Sequence, residues 1–292
     1  FNGMPFWGSQ CCSDIFLSFS KFSVNNELKN RSSSKYFIIT GIPRDYSSKY
    51  LQSDAKNIML NLRSKGAKKI VSVFDGNSMS DSRWHTGHEL QKENYEKIIL
   101  EILKNEELGV IFKPKHPQSL KTRLGNVYNL LKETCQTGRC IILDQNTNYQ
   151  SPYPAILAGL ASDICVHTDL SSGTAALECA SAGKPVLIID REGAPFSILN
   201  KLKKGKTRFS SWSQTIDAIN EFNIKNSKNE IGDWSDLIDE LDPFRDGLSA
   251  TRIGNYLNYL LEGFDMKLKH DEIMENAAYK YAKKWGKDNV IT

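Results

Sequence analysis

The sequence lacks several motifs by which common classes of protein are recognised. It contains no Gly-x-Gly-x-x-Gly fingerprint and no Walker A sequence, which excludes two familiar phosphate-binding loops. None of the six cysteines forms a Cys-x-x-Cys pair. Cys165 and Cys179 lie in apolar surroundings, a pattern typical of buried thiols in a reducing compartment. No run of 18 apolar residues predicts a membrane-spanning helix.

The composition is that of an ordinary globular protein. The 292 residues are 40% hydrophobic and 25% charged, with a net charge of +4, enough for one large domain or two small ones. The lysines are spread along the chain without interleaved aromatic residues, which excludes a nucleic-acid platform. We expect a cytoplasmic protein, with the inner face of the membrane as a further location. The chain opens with Phe1, and we expect it to be a piece of a longer protein.

Short apolar runs alternate with segments of helical period. Six of these runs are predicted to be buried strands: residues 36–40, 69–75, 108–115, 139–144, 162–169 and 185–190. Helices are predicted between them, at residues 87–105, 119–134 and 153–161. This alternation predicts an α/β fold with a doubly wound, Rossmann-like parallel sheet over residues 51–262 and extra helices towards the C-terminus.

The two ends of the chain do not fit this repeat. Residues 1–50 contain the strand-like runs at 13–20 and 36–40 and a turn-rich stretch, and we interpret them as the remnant of a preceding N-terminal domain and its linker. We expect residues 13–40 to lie outside the main sheet. Residues 263–292 are predicted to form a C-terminal crossover helix.

The stretch Ser171-Ser172-Gly173-Thr174 stands where a predicted strand becomes a helix. A helix start offers unpaired N–H groups and partial positive charge, which suit a phosphate. The hydroxyls add donors, the glycine allows close approach, and Glu178 lies one turn further on the same face, where a carboxylate could bind ribose hydroxyls. An ordinary serine N-cap is an equally good interpretation.

A second group lies at the end of another strand-like run, in the segment Phe112-Lys-Pro-Lys-His-Pro117. Lys113 and His116 could contact a phosphate there, and the two prolines stiffen the turn. Ligands of open parallel sheets bind at the carboxyl ends of the strands. We therefore favour ligand binding over a solvated basic loop.

The loop after residue 75 is the third group. Gly76, Asn77 and Ser78 could face a phosphate or an acceptor. His85 and His88 are spaced for one helix face, but two histidines without further ligands do not define a metal site, and we predict no metal and no cofactor. The turn at 242–247 is interpreted as structural, fixed by local ion pairs.

These residues resemble a known group of enzymes. The run at 171–190, SSGTAALECASAGKPVLIID, resembles the donor-binding half of GT-B glycosyltransferases, lipid A disaccharide synthase among them. The His-Pro at 116–117, followed by Ser-Ser at 171–172, is similar to motifs of bacterial polysialyltransferases and capsule Kdo transferases, and teichoic-acid glycerophosphotransferases have a related His-Pro. The resemblance covers roughly residues 13–262.

The resemblance implies site residues and a class of ligand. His116, Ser171 and Ser172 would face the phosphate of a nucleotide-activated donor, CMP-, CDP- or UDP-linked, and Thr174 and Glu178 would hold the nucleotide. The acidic base motif of the sialyltransferase-type enzymes is absent, and a GT-B catalytic base usually belongs to the N-terminal domain. The resemblance therefore assigns no catalytic residue.

The sequence predicts the donor-binding domain of a GT-B glycosyltransferase that acts on a bacterial surface polysaccharide or a lipid-linked acceptor. Peripheral association with a membrane is compatible with such an acceptor. Three alternatives stay open: a non-hydrolysing sugar-nucleotide epimerase, a CDP-glycerol-type glycerophosphotransferase, and a nucleotide-binding domain without catalysis.

Overall fold

The computed structural model describes residues 11–80, 87–144, 153–170, 173–191, 193–224 and 230–292. The strands of the described residues are β1 (Ile15–Ser18), β2 (Tyr36–Ile39), β3 (Lys69–Phe74), β4 (Leu108–Lys113), β5 (Cys140–Ile142), β6 (Ile164–His167), β7 (Val186–Ile189), β8 (Arg208–Phe209) and β9 (Val290–Ile291). The helices are α1 (Lys21–Lys29), α2 (Ser47–Tyr50), α3 (Gln52–Ser64), α4 (His88–Lys104), α5 (Leu120–Leu124), α6 (Val127–Cys135), α7 (Ala155–Leu160), α8 (Thr174–Ser181), α9 (Trp212–Glu221), α10 (Ser235–Leu241), α11 (Ser249–Asp265) and α12 (His270–Trp285).

The chain divides into two compact units. The first, here the six-stranded unit, spans Tyr50–Asp236. The second, the three-stranded unit, combines the described residues 11–49 with 237–292. The division therefore falls near residue 236, whereas the sequence suggested 262. The reason is that α11 packs along α12 and belongs with it. None of the helices among the described residues is long and apolar enough to cross a bilayer.

The six-stranded unit is a doubly wound α/β fold, as predicted. Its sheet is entirely parallel in the order β5-β4-β3-β6-β7-β8. Counted from β3, this is the 3-2-1-4-5-6 order of Rossmann-like sheets, and the winding reverses between β3 and β6. Ligands of such sheets bind at this switch point, outside the carboxyl ends of the strands.

Helices cover both faces of this sheet. The strands are buried along their length and apolar almost throughout, because neither face meets water. One face packs against a cluster of side chains from α4, α5, α6 and α9. Helices α7 and α8 lie over the other face, with α3 against α7. On the first face, the Tyr95 ring of α4 stacks on Phe112 of β4 at 4.7 Å between centroids.

The helix predicted over residues 119–134 is instead two helices, and this prediction was wrong in that respect. Gly125 ends α5 with a φ of +54°, a conformation that side chains disfavour, and α6 starts two residues later. The break turns the short helix α5 independently of α6. It therefore places Arg123 beside Asp75, at the end of the sheet.

The three-stranded unit has its own sheet and core. Strand β2 pairs with β1 in parallel and with β9 in antiparallel fashion. The run at 36–40 is thus a strand outside the main sheet. Tyr256 and Tyr281 pack edge to face, and the Tyr281 hydroxyl donates to the Ile39 carbonyl at 2.7 Å. These contacts join α11 and α12 to β2.

The turn at 242–247 is structural, as the sequence indicated. Asp246 accepts hydrogen bonds from Arg252 and from the Leu248 amide. The Arg252 guanidinium is buried, lies 3.5 Å from the centroid of the Phe244 ring, and also faces the Trp285 ring. A buried cation between aromatic faces and a carboxylate stabilises this turn.

Candidate functional site

The candidate site lies at the carboxyl edge of the six-stranded sheet, defined here as the edge where β3, β4 and β6 end. Strand β3 pairs with both β4 and β6, so the three ends are neighbours. The segments 113–116 and 168–170 consequently lie at the same end of one parallel sheet. The sequence predicted this shared end for 113–116 and 171–174. Ser171 and Ser172, which were predicted to face phosphate, lie outside the described residues.

Asp75 follows β3 directly and is buried. Its carboxylate accepts hydrogen bonds from the Tyr95 hydroxyl at 3.1 Å and from both terminal nitrogens of Arg123 at 3.2 and 3.3 Å. The backbone N–H of Lys115 donates to its second oxygen. A carboxylate with this many donors is held in one orientation.

The predicted loop at 76–78 occupies the switch point, and its three residues differ in environment. Gly76 is buried, and a Cβ there would lie 2.7 Å from a carboxylate oxygen of Asp169, so any other residue would displace the Asp169 side chain. Asn77 is exposed. The Ser78 hydroxyl is buried, 3.0 Å from His88 Nδ1 and 3.4 Å from Arg123 Nη1.

Lys113 is the last residue of β4, and its side chain is buried. Its ammonium donates to the Pro114 carbonyl at 3.1 Å. Burial lowers the pKa of Lys113, while the negative charges of Asp75 and Glu178 act to raise it. The charge of Glu178 thus acts on Lys113, so the structure brings these two predicted residues close enough to interact.

His116 is exposed on the turn that leaves β4. Partial burial of its ring and the charges of Arg123 and Lys115 lower its pKa. The lowered pKa favours the neutral ring, which carries one N–H donor and one acceptor. A phosphate bound beside it would raise its pKa again and favour the charged, doubly donating form.

Helix α8 begins beside these groups. Gly173 is buried and precedes the helix with φ −164° and ψ 13°, and Thr174, the first residue of the helix, is exposed. Glu178 is half-buried one turn later. The first-turn N–H groups of this helix supply the positive end of the helix dipole.

Sequence reasoning missed a further group at the end of β6, formed by His167, Thr168 and Asp169. All three are buried. The His167 Nδ1 lies 3.0 Å from the Asp169 carbonyl oxygen, and Thr168 donates to the Phe74 carbonyl of β3 at 3.3 Å. Burial lowers the pKa of His167. The available signal was position, because these polar residues end an apolar strand next to the switch point.

Within the described ranges, no group of three or more His, Cys, Asp and Glu side chains is arranged to hold a metal. His85 lies outside those ranges. The chemistry that the site offers is therefore that of cations, a helix start and fixed carboxylates. Such a set suits an anionic ligand with hydroxyl groups, and its cations could stabilise negative charge that develops on a departing phosphate.

No model of a known protein family matches the chain, and no curated protein matches it either. Several solved structures do match the chain by fold. What they share with this chain is the fold, an α/β architecture with a doubly wound, Rossmann-like parallel sheet, as in GT-B enzymes.

Three of these structures illustrate the likeness. MnaA of S. aureus, solved with UDP, gives a TM-score of 0.54 at 17% identity over 86% of this chain and 61% of its own. A Listeria monocytogenes protein, provisionally assigned as a UDP-N-acetylglucosamine 2-epimerase, gives 0.54 at 14% identity, covering 86% and 60%. The wall teichoic acid polymerase TagF gives 0.55 at 11% identity, covering 88% and 59%. The chain thus spans about three fifths of each of these proteins.

Proposed function

We propose that the six-stranded unit binds the nucleotide of an activated donor in a GT-B glycosyltransferase. The observation that supports this most directly is the gathering of Lys113, His116 and the start of α8 at one switch-point edge, with the Glu178 charge acting on Lys113. At such an edge, cationic donors and helix N–H groups can bind a phosphate, and a carboxylate can accept hydrogen bonds from the hydroxyl groups of the same ligand.

The neighbours support the same ligand class. MnaA was solved with UDP, and a TagF structure with a TM-score of 0.51 was soaked with CDPG. We propose a donor of this kind, a sugar or a related group joined to UDP, CDP or CMP. The acceptor would be a surface polysaccharide or a lipid-linked precursor, reached from the cytoplasmic side of the membrane.

The proposed reaction is displacement of the donor phosphate by an acceptor hydroxyl at the anomeric carbon. Negative charge then develops on the departing phosphate, where Lys113, His116 and the α8 N–H groups would stabilise it. These groups supply positive charge without a metal. Ser171, Ser172 and Thr174 would add hydroxyl donors.

The test is a thermal-shift panel of CMP, CDP, UDP, UMP and GDP, each with and without EDTA. At a concentration a hundred times the Kd, a ligand that binds only the folded state adds about 2.7 kcal/mol. A unit of this size should then melt several degrees higher. Uridine and cytidine are the controls, because they lack the phosphate and should give little shift. If no nucleotide raises the melting temperature, the proposed function is wrong.

A second candidate is a sugar-nucleotide epimerase, and one observation favours it. The Asp169 carboxylate lies against Gly76 at the switch point, which places a buried acidic group beside the proposed donor site. An epimerase needs such a group to move a proton on the sugar. Incubation with UDP-N-acetylglucosamine separates the candidates, because an epimerase forms the C2 epimer without any acceptor.

A further inference from the structure

The carboxyl edge contains an ion pair that is almost completely removed from water. The side chains of Asp75 and Arg123 are 1% and 4% exposed, with 3.2 Å between Oδ2 and Nη2. The two residues come from different elements, the end of β3 and the short helix α5. Both side chains are therefore shielded from solvent.

The contacts of this pair reach both loops of the candidate site. Asp75 accepts the backbone N–H of Lys115, and Arg123 Nη2 donates to the His116 carbonyl at 3.1 Å. Arg123 Nη1 also lies 3.4 Å from the Ser78 hydroxyl. One ion pair therefore fixes the backbone of the turn that presents His116 and one side chain of the loop at 76–78.

Stability alone does not account for this arrangement. Two charges must be desolvated to form a buried pair, and apolar residues of the same volume usually give equal or greater stability. What apolar residues cannot provide is the set of directed hydrogen bonds to Lys115, His116 and Ser78. The rigid fork of a guanidinium suits this task, because it donates in several fixed directions at once.

We propose that Asp75 and Arg123 are positioning residues, which hold the His116 turn and the loop at 76–78 in the geometry that binds the donor phosphate. This inference rests on the proposed function of the site. It assigns no proton transfer to Asp75, whose carboxylate is occupied by Tyr95, Lys115 and Arg123.

The test compares two buried arginines of the same unit. Arg123→Met removes the fork, and we expect the Kd for the nucleotide that binds the wild type to weaken by about tenfold. Arg139→Met is the matched control, because Arg139 is also buried and donates to the carbonyls of Ile102, Asn105 and Leu108 at the opposite edge of the sheet. It should destabilise the protein and leave the Kd unchanged.

A second readout needs no ligand. The chain has five histidines, so NMR of selectively labelled histidine can follow His116 directly. The Arg123 charge lowers the pKa of His116, and Arg123→Met should therefore raise it, whereas Arg139→Met should not.

The double variant Asp75→Leu/Arg123→Met covers the case in which the single variant does not fold. We expect it to recover part of the melting temperature that Arg123→Met loses, because no charge is left buried without a partner, although the Tyr95 hydroxyl and the Lys115 N–H lose their acceptor. The nucleotide affinity should not recover. Recovery of wild-type affinity in this stable double variant would overturn the positioning role. If the wild type itself binds no nucleotide while the His116 pKa still shifts in Arg123→Met, the proposed function fails and the coupling of the pair to the turn stands.

Discussion

Both the amino edge and the carboxyl edge of the six-stranded sheet contain a lysine that is partly or fully removed from water, but the two lysines make different contacts. At the amino edge, Lys69 begins β3 and donates to the carbonyls of Ile219 and Asn220 at the end of α9. At the carboxyl edge, Lys113 ends β4 and donates to the carbonyl of the next residue, Pro114. Burial lowers the pKa of both lysines. The same side chain is thus desolvated at both edges, with different acceptors around it.

The two edges differ in how many hydrogen-bond acceptors the protein supplies to each cation. At the amino edge, Lys69 donates to two carbonyls in the last turn of α9, and Arg139 donates to three more carbonyls, those of Ile102, Asn105 and Leu108. At the carboxyl edge one of the three N–H bonds of Lys113 goes to Pro114, and the charges that act on it are those of Asp75 and Glu178. Lys69 is half-buried and holds a helix end, whereas the buried Lys113 lies near two carboxylates. We therefore expect the amino edge to contribute to stability and the carboxyl edge to bind an anion.

Replacing the two lysines should separate these roles most clearly. In Lys113→Met we expect nucleotide affinity to fall by roughly 10- to 100-fold, since a hydrogen bond to a charged group contributes about 1.5–3 kcal/mol. The melting temperature without ligand should hold or rise, because a desolvated ammonium is removed. Calorimetric titration and thermal melts measure the two effects.

Lys69→Met is the control, and we expect it to change stability and not nucleotide affinity. It should leave nucleotide affinity unchanged and lower the free energy of unfolding by about 1 kcal/mol through the loss of two carbonyl partners. If both methionine variants kept wild-type affinity, the functional difference between the edges would not exist.

The sequence predicted the buried strands of the main sheet well, but it did not show in which sheet each strand pairs, and it missed some short or weakly buried elements. Runs such as 69–75 and 185–190 match β3 and β7 within a residue or two, because fully buried parallel strands are apolar throughout. The run at 36–40 has the same character but pairs in the other sheet, and an apolar run does not show its partner. Strand β8 has two residues, and α3 buries only Ala55 and Leu62, so neither leaves a clear pattern.

At the site, the sequence located the segments but not their connections. Polar residues after an apolar strand mark the carboxyl edge by position alone, which is how 76–78 and 113–116 were found. Arg123 is 48 positions from Asp75 and sits in a short basic helix with no distinguishing motif. Its role depends on the break at Gly125 and on tertiary contacts, which local pattern does not contain.

The histidines of the carboxyl edge should make stability depend on pH. The pKa values of His116 and His167 are lowered in the folded state, so near pH 6 the unfolded chain binds more protons. The free energy of unfolding should therefore be greatest above about pH 6.5 and fall as the pH drops through the folded pKa values. Urea unfolding at several pH values measures this slope.

Two variants test whether the carboxyl edge causes that slope. His167→Gln should reduce it, since a buried group that resists protonation is removed. Arg139→Met should lower stability equally at every pH, because arginine stays charged throughout. A slope that is unchanged in His167→Gln would assign the pH dependence to other groups.

The smallest effect that we predict concerns Gln91, in the first turn of α4 and one turn before Tyr95. It is fully buried, and among the described residues neither its amide nitrogen nor its amide oxygen has a hydrogen-bond partner. Gln91→Leu keeps the volume and removes an unpaired polar group, so the free energy of unfolding should rise by about 1 kcal/mol. Asn94→Leu, one turn along, is the control and should be destabilising, because Asn94 Oδ1 accepts from Arg191 and from Trp212. Thermal melts of both variants measure this difference. If Gln91→Leu melts below the wild type, as Asn94→Leu should, then the Gln91 amide has hydrogen-bond partners in the folded protein.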